Sequence, residues 1–180
     1  MATTCGGTLI DEHISGGDSF FSGRAAVVPP AVVERVTIEQ VRFRLSWNAP
    51  QTGDIQVQVL GVDGSNLPDN GNVLKTHLEP IANLEQAEGV VDWHCIVFSP
   101  PFPVIEAGQR YAVELQNVDA NAPRWHLENA ANDPDAESYQ WTGTWDLFAT
   151  NDFKFGVYGE AALLPAVPTG PVLPMTRLFQ

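Results

Sequence analysis

The chain has 180 residues, 44 % of them hydrophobic, enough for one folded domain with a sizeable core and too apolar for a disordered segment. Nine Lys and Arg stand against 22 Asp and Glu, a formal net charge of −13. That charge repels phosphate backbones and anionic bilayers, so nucleic acid and membranes are not expected partners. The acidity serves solubility, or complements a basic protein or calcium.

Residues 1–9 are small and polar with a Gly pair and are expected to be an N-terminal arm. They carry no basic start and no apolar run, so no secretory signal is read there. Cys5 and Cys95 make no disulfide framework. Free thiols are expected, a bridge between the two being the alternative.

Strand patterns then follow one another. Val36 and Ile38 share one parity and Val41, Phe43 and Leu45 the other, a phase slip near Glu39 and Gln40 that predicts a β-bulge. Pro50 to Asp54 is a turn signal. Ile55, Val57 and Val59 alternate with Gln56 and Gln58, a strand with one polar face. Asp63-Gly64-Ser65-Asn66 and Pro68-Asp69-Asn70-Gly71 read as turn sequence. Ile81 to Glu88 reads as one helical turn or a loop. Trp93 to Phe98 is almost continuously apolar and is expected to be a central strand. Pro100 to Pro103 and Glu106 to Gly108 break the chain before Tyr111, Val113 and Leu115 alternate again. Asp119 to Pro123 and Asn132 to Asp135 are further turns, and Phe153, Phe155 and Val157 form the last alternating run.

Short strands at this spacing predict an all-β fold, an antiparallel β-sandwich of jelly-roll type over residues 10–160. Residues 161–180 are expected to form an extended C-terminal arm. Pro165, Pro168, Pro171 and Pro174 recur every third position and favour a polyproline-like path. A solvated linker would be polar, yet Leu163, Leu164, Val172, Leu173, Met175, Leu178 and Phe179 make this one apolar. They are candidate docking residues, on a neighbouring subunit or on the parent domain.

Three stretches carry a resemblance: Gly53-Asp54-Ile55 through Val73-Leu74, Ala107 through Leu115, and Asp152 through Gly159. With the spacing of Trp93, Trp125 and Trp145, they make residues 10–160 similar to jelly-roll modules of secreted bacterial proteins and of phage particles. The resemblance implies a carbohydrate-binding-like architecture without enzyme activity. It does not fix a ligand.

Candidate chemistry is sparse. His13, His77, His94 and His126 show no metal-ligand spacing, and no nucleophile elbow or phosphate loop occurs, so no cofactor and no catalytic residue are expected. Asp133-Pro134-Asp135-Ala136-Glu137 places carboxylates at alternate positions, but in a loop. Asp133 and Asp135 are weak calcium candidates, with Asp119 or Asp152 nearby. Trp125, Tyr139, Trp141 and Trp145 form an aromatic group interleaved with amide and charged side chains, candidates for a ligand-binding platform. One or two of them are expected in the core instead.

The expected function is therefore non-enzymatic. It is that of a structural protein of a phage virion, made in the host cytoplasm. Capsid decoration (a cement protein) is favoured, its arms docking on copies of itself or on a major capsid or tail protein. The alternative is a carbohydrate-binding module or tail-fibre component that contacts host glycans, in an extracellular setting.

Overall fold

Alternation decides which way each strand faces. The structure is a computed structural model describing residues 5–13, 19–21, 23–46, 53–84, 91–117, 124–128, 136–148 and 152–161. In it Ile55, Val57 and Val59 are fully buried, while Gln56 and Gln58 between them are half-buried. One covered face and one open face give that pattern.

The described strands are β1 (Thr8–His13), β2 (Ser19–Phe21), β3 (Ala25–Val28), β4 (Val36–Ser46), β5 (Asp54–Val62), β6 (Pro68–Pro80) and β7 (Val91–Val97). There follow β8 (Val104–Ile105), β9 (Tyr111–Asn117), β10 (Arg124–Glu128), β11 (Glu137–Trp141), β12 (Trp145–Leu147), β13 (Asp152–Phe153) and β14 (Phe155–Ala161). They form two antiparallel sheets. The first has eight strands, ordered β1-β14-β4-β10-β13, with β2 on β10 and with β7 and β8 on β4. The second has six, ordered β12-β11-β3-β9-β5-β6. Phe43, Trp125, Phe153 and Phe155 of the first sheet pack against Ile55, Val57, Val113 and Leu115 of the second. This is the expected all-β antiparallel sandwich.

The phase slip in β4 is a bulge. Tyr158 pairs with Gln40 and Gly159 with Ile38, so Glu39 is the extra residue. Glycine at 159 is what lets the strands close up there: a Cβ would sit 1.8 Å from the Thr37 carbonyl oxygen. The Asp63–Asn66 turn forms as read. The Asp63 carboxylate accepts from the Ser65 and Leu67 amides, and Asn66 takes the left-handed φ of 63°.

Three expectations are corrected. Pro68 to Gly71 does not separate two strands but opens β6 itself. Val62 pairs with Pro68 and Leu60 with Val73, so the turn-forming residues bulge outward without ending the strand. Trp93 to Phe98 is not central, because β7 pairs only with β4 among the described residues. Its outward side chains are covered only in part, Val97 staying 55 % exposed. Cys95 is joined to Cys5 by a disulfide with a Cα–Cα distance of 5.4 Å, so neither cysteine is free. The chain from Cys5 thus straps the outer face of the first sheet, and the Gly6 amide donates to Gln40 Oε1. The N-terminal arm is tied down from Cys5, and Thr8 and Leu9 already belong to β1. The Ile81–Glu88 segment opens with a 3-10 turn, Ile81–Asn83.

At its edge, β6 points Lys75, His77 and Glu79 inward, opposite Val59, Val57 and Ile55. Lys75 Nζ donates to the Ser99 and Pro101 carbonyls, and Glu79 pairs with His77 at 2.9 Å. Inward charges of this kind close a sheet edge to further strands.

Candidate binding site

The outer face of the second sheet begins as a row of paired residues, Tyr139–Ala26–Glu114–Gln58–Thr76. A small apolar layer covers one end of this face, where Val28, Leu60, Ala112 and Tyr139 are buried and Trp145 packs against them. At its margin stand the two half-buried members of the aromatic group, Trp141 and Trp145. The β11–β12 hairpin sets Trp141 opposite Trp145, with ring centroids 5.1 Å apart and planes at 67°. Gly143 takes the turn's φ of 113°, and the Asp146 carboxylate accepts from the Thr142 hydroxyl.

One arginine organises the patch. The Arg24 guanidinium carbon lies 4.5 Å from the Trp141 ring centroid and 5.0 Å from that of Trp145. Its Nε donates to Glu114 Oε1 at 2.5 Å and its Nη2 to Glu114 Oε2 at 3.1 Å. Nη2 also donates to Asn70 Oδ1 at 2.6 Å, on the bulge that opens β6. Glu114 is 0 % exposed. A carboxylate buried on a sheet needs such a two-pronged partner, and the fork holds the guanidinium flat for stacking. Both tryptophans remain half-buried. The Trp145 Nε1 proton is buried with no acceptor among the described residues.

The other predicted residues fall elsewhere. Trp125 is 1 % exposed and belongs to the core. It stacks at 4.3 Å on Phe153 and meets Phe43 edge-on at 4.9 Å, and its Nε1 donates to the Lys154 carbonyl. A ligand cannot reach it. Tyr139 is 4 % exposed. Its hydroxyl donates to Glu137 Oε2 at 3.2 Å, and Arg110 pairs with the same oxygen at 3.0 Å. Burial first, and then the Glu137 charge, push the Tyr139 hydroxyl up to about 12. Asp133, Asp135 and the tail residues Leu163, Leu164, Val172, Leu173, Met175, Leu178 and Phe179 lie outside the described residues. No cluster of three or more His, Cys, Asp or Glu that could hold a metal occurs among the described residues.

Sequence reading missed Arg24, Glu114 and Asn70. The one signal was Glu114, a carboxylate inside the apolar run Tyr111 to Leu115. It also missed a buried polar pair on the first sheet, where Ser46 Oγ lies 2.7 Å from His126 Nε2. Ser46 and His126 are 6 % and 5 % exposed, so neither offers an atom to a substrate. The first sheet carries its own arginine cluster. Arg42 stacks on Trp93 at 4.4 Å and Tyr158 at 5.3 Å and pairs with Glu12.

Compared with known protein families, with characterised proteins and with solved structures, the chain matches none.

Proposed function

We propose that this chain is a non-enzymatic structural protein that docks on protein subunits of a larger particle. The particle is a virion, and the role that of a capsid decoration or cement protein. The observation that carries the reading is the Trp141–Arg24–Trp145 patch. Tryptophan and arginine dominate the energetics of protein interfaces. Here they are half-exposed and held in place before any partner arrives, which lowers the ordering cost of docking. The exposed Leu147, on the same strand as Trp145 and 55 % exposed, extends the apolar area. In a symmetric assembly each such contact is multiplied. The apolar residues near the chain's end, Leu178 and Phe179, add a second reach to neighbours.

Sedimentation and light scattering of the full chain beside a Trp141→Ala/Trp145→Ala variant test this. A defined oligomer for the full chain and a folded monomer for the variant support it. Monomers from both contradict it. A second reading, glycan binding, draws on Gln56, Gln58 and Gln116, whose amides lie on the same sheet face as the tryptophans. A glycan array that lights up for the full chain and goes dark for the variant, with both monomeric, would favour it.

A further inference from the structure

A groove of about 260 Å³ opens at the far end of β3 from the tryptophan patch: Arg24 precedes that strand and Pro30 follows it. Leu9 and Ile10 of β1 line it, with Pro30, Ala31 and Val33 of the β3–β4 connection. That connection is fixed in place. The Val32 amide donates to the Gln109 carbonyl at 3.0 Å, the Gly108 amide to the Val32 carbonyl at 2.8 Å, and Arg110 to the Pro29 and Val28 carbonyls. The groove is therefore built before anything enters it. Its apolar side chains are uncovered: Leu9 is 43 % exposed and Val33 94 %. The volume falls short of the roughly 300–1,000 Å³ of a small-molecule site and suits a few side chains of a polypeptide.

Charge identifies the kind of polypeptide. Asp11, Glu34 and Glu160 are the charged side chains of the lining, and no Lys, Arg or His stands among the described lining residues. Arg35, next to Glu34 in sequence, is engaged by Glu106 at 3.1 Å. Glu34 and Glu160 are exposed and Asp11 is half-buried, so a cation entering the groove can reach carboxylates. The three do not converge on an ion. No group of three or more His, Cys, Asp or Glu that could hold a metal occurs among the described residues. A second copy of this chain, at a net charge of −13, would bring like charge to like.

We propose that the groove receives an extended segment of a different, basic protein, one in which aliphatic side chains flank a Lys or Arg. The aliphatic side chains pack on Leu9, Pro30 and Val33, and the cation pairs with Glu34 and Glu160. Burial of the aliphatic groups supplies most of the affinity. The carboxylates select the sign of the charge, since exposed ion pairs contribute little by themselves. This surface is separate from the tryptophan patch, and the proposal holds or fails independently of the docking role given to that patch.

The test is a titration of the ¹⁵N-labelled full chain, followed through its backbone amide shifts, with three capped pentapeptides. The first is Leu-Arg-Leu-Lys-Leu. The second, Leu-citrulline-Leu-Gln-Leu, keeps the shape and removes the charge. The third, Gly-Arg-Gly-Lys-Gly, keeps the charge and removes the apolar side chains. The first should move the amides of Leu9, Ile10, Ala31, Val33 and Glu34 saturably and leave those of Trp141 and Trp145 in place. The second should bind the same amides about five-fold more weakly, a gap that added salt closes. The third should give no saturable shift there. Glu34→Gln with Glu160→Gln, two exposed positions that leave the fold intact, should bring the first two peptides within about two-fold of each other. Equal binding of the first two peptides by the unaltered chain would overturn the proposal. So would groove amides that respond to none of the three, or a charge preference that survives in the variant.

Discussion

The two sheets use the same side chains to opposite ends. On the first, Arg42 of β4 stacks on Trp93 of β7 and Tyr158 of β14 and pairs with Glu12 of β1. It fastens four strands, and Gly156 lets it lie flat, since a Cβ there would come within 2.8 Å of Arg42 Nε. The Cys5–Cys95 strap then crosses the same face. On the second, Arg24 also lies on two aromatic rings, but its carboxylate is fully buried and its tryptophans stay half-exposed. Trp93 is half-buried like Trp141 and Trp145, so the two clusters differ in their partners rather than in the cover over their tryptophans. Arg42 ties four strands together through a buried tyrosine and a partly solvated carboxylate, whereas Arg24 is forked by a fully buried one.

The largest expected effect is on the covered face. The bridge joins residues 90 apart in sequence, and closing a loop of that size restricts the unfolded chain by about 4 kcal/mol. Cys5→Ser with Cys95→Ser should lower the guanidinium unfolding free energy by about that amount. A loss under about 1 kcal/mol would mean the strap adds little to a face already fastened by Arg42.

Next is the buried carboxylate of the open face. Glu114→Ala leaves Arg24 without its partner in a covered site and should cost about 3 kcal/mol, read by chemical denaturation. Replacing both, Arg24→Met with Glu114→Leu, should recover most of that loss, since removing a buried pair whole is mild. Arg42→Ala should cost less, about 1 kcal/mol, because Glu12 is partly solvated and its ion pair is screened. Reversal of the Glu114 and Arg42 ranking would break the contrast between the two clusters.

The smallest effect is a pH dependence from His94 of β7, whose imidazole burial holds below its ordinary value of 6.5, against an opposing pull from Asp92. The unfolded chain then binds the proton first. This contribution to stability is complete above pH 6.5 and is lost as the pH falls below it. Thermal melts between pH 7.5 and 5 should show the decline, and His94→Gln should flatten it.

Much of the fold was legible because alternation reports burial directly. Ile55 to Val59 and the slip at Glu39 have the structure that their parity implied, whereas Tyr111 to Leu115 is buried on both faces, Ala112 and Glu114 included. Legibility failed where a residue's neighbour comes from far along the chain. The continuous apolarity of Trp93 to Phe98 reads as a buried central strand, yet its outer face meets only the Cys5 strap at Cys95 and the Arg42 stack at Trp93, and Val97 stays 55 % exposed. Asp69-Asn70-Gly71 has turn chemistry and does bulge, but within one strand, so that Asn70 meets Arg24. Trp125 was grouped with Trp141 and Trp145 by sequence proximity, although it belongs to the other sheet. The clamp itself joins β9 to the residue preceding β3, positions 90 apart, a distance no local pattern spans.

The claim that the open face is a docking surface is tested most directly by light scattering of the full chain beside Trp141→Ala/Trp145→Ala, at matched concentration and with matched melting temperatures. The account predicts a discrete oligomer that falls to monomer when the two rings are removed. A full chain that stays monomeric across the whole concentration range, indistinguishable from the variant, would contradict it.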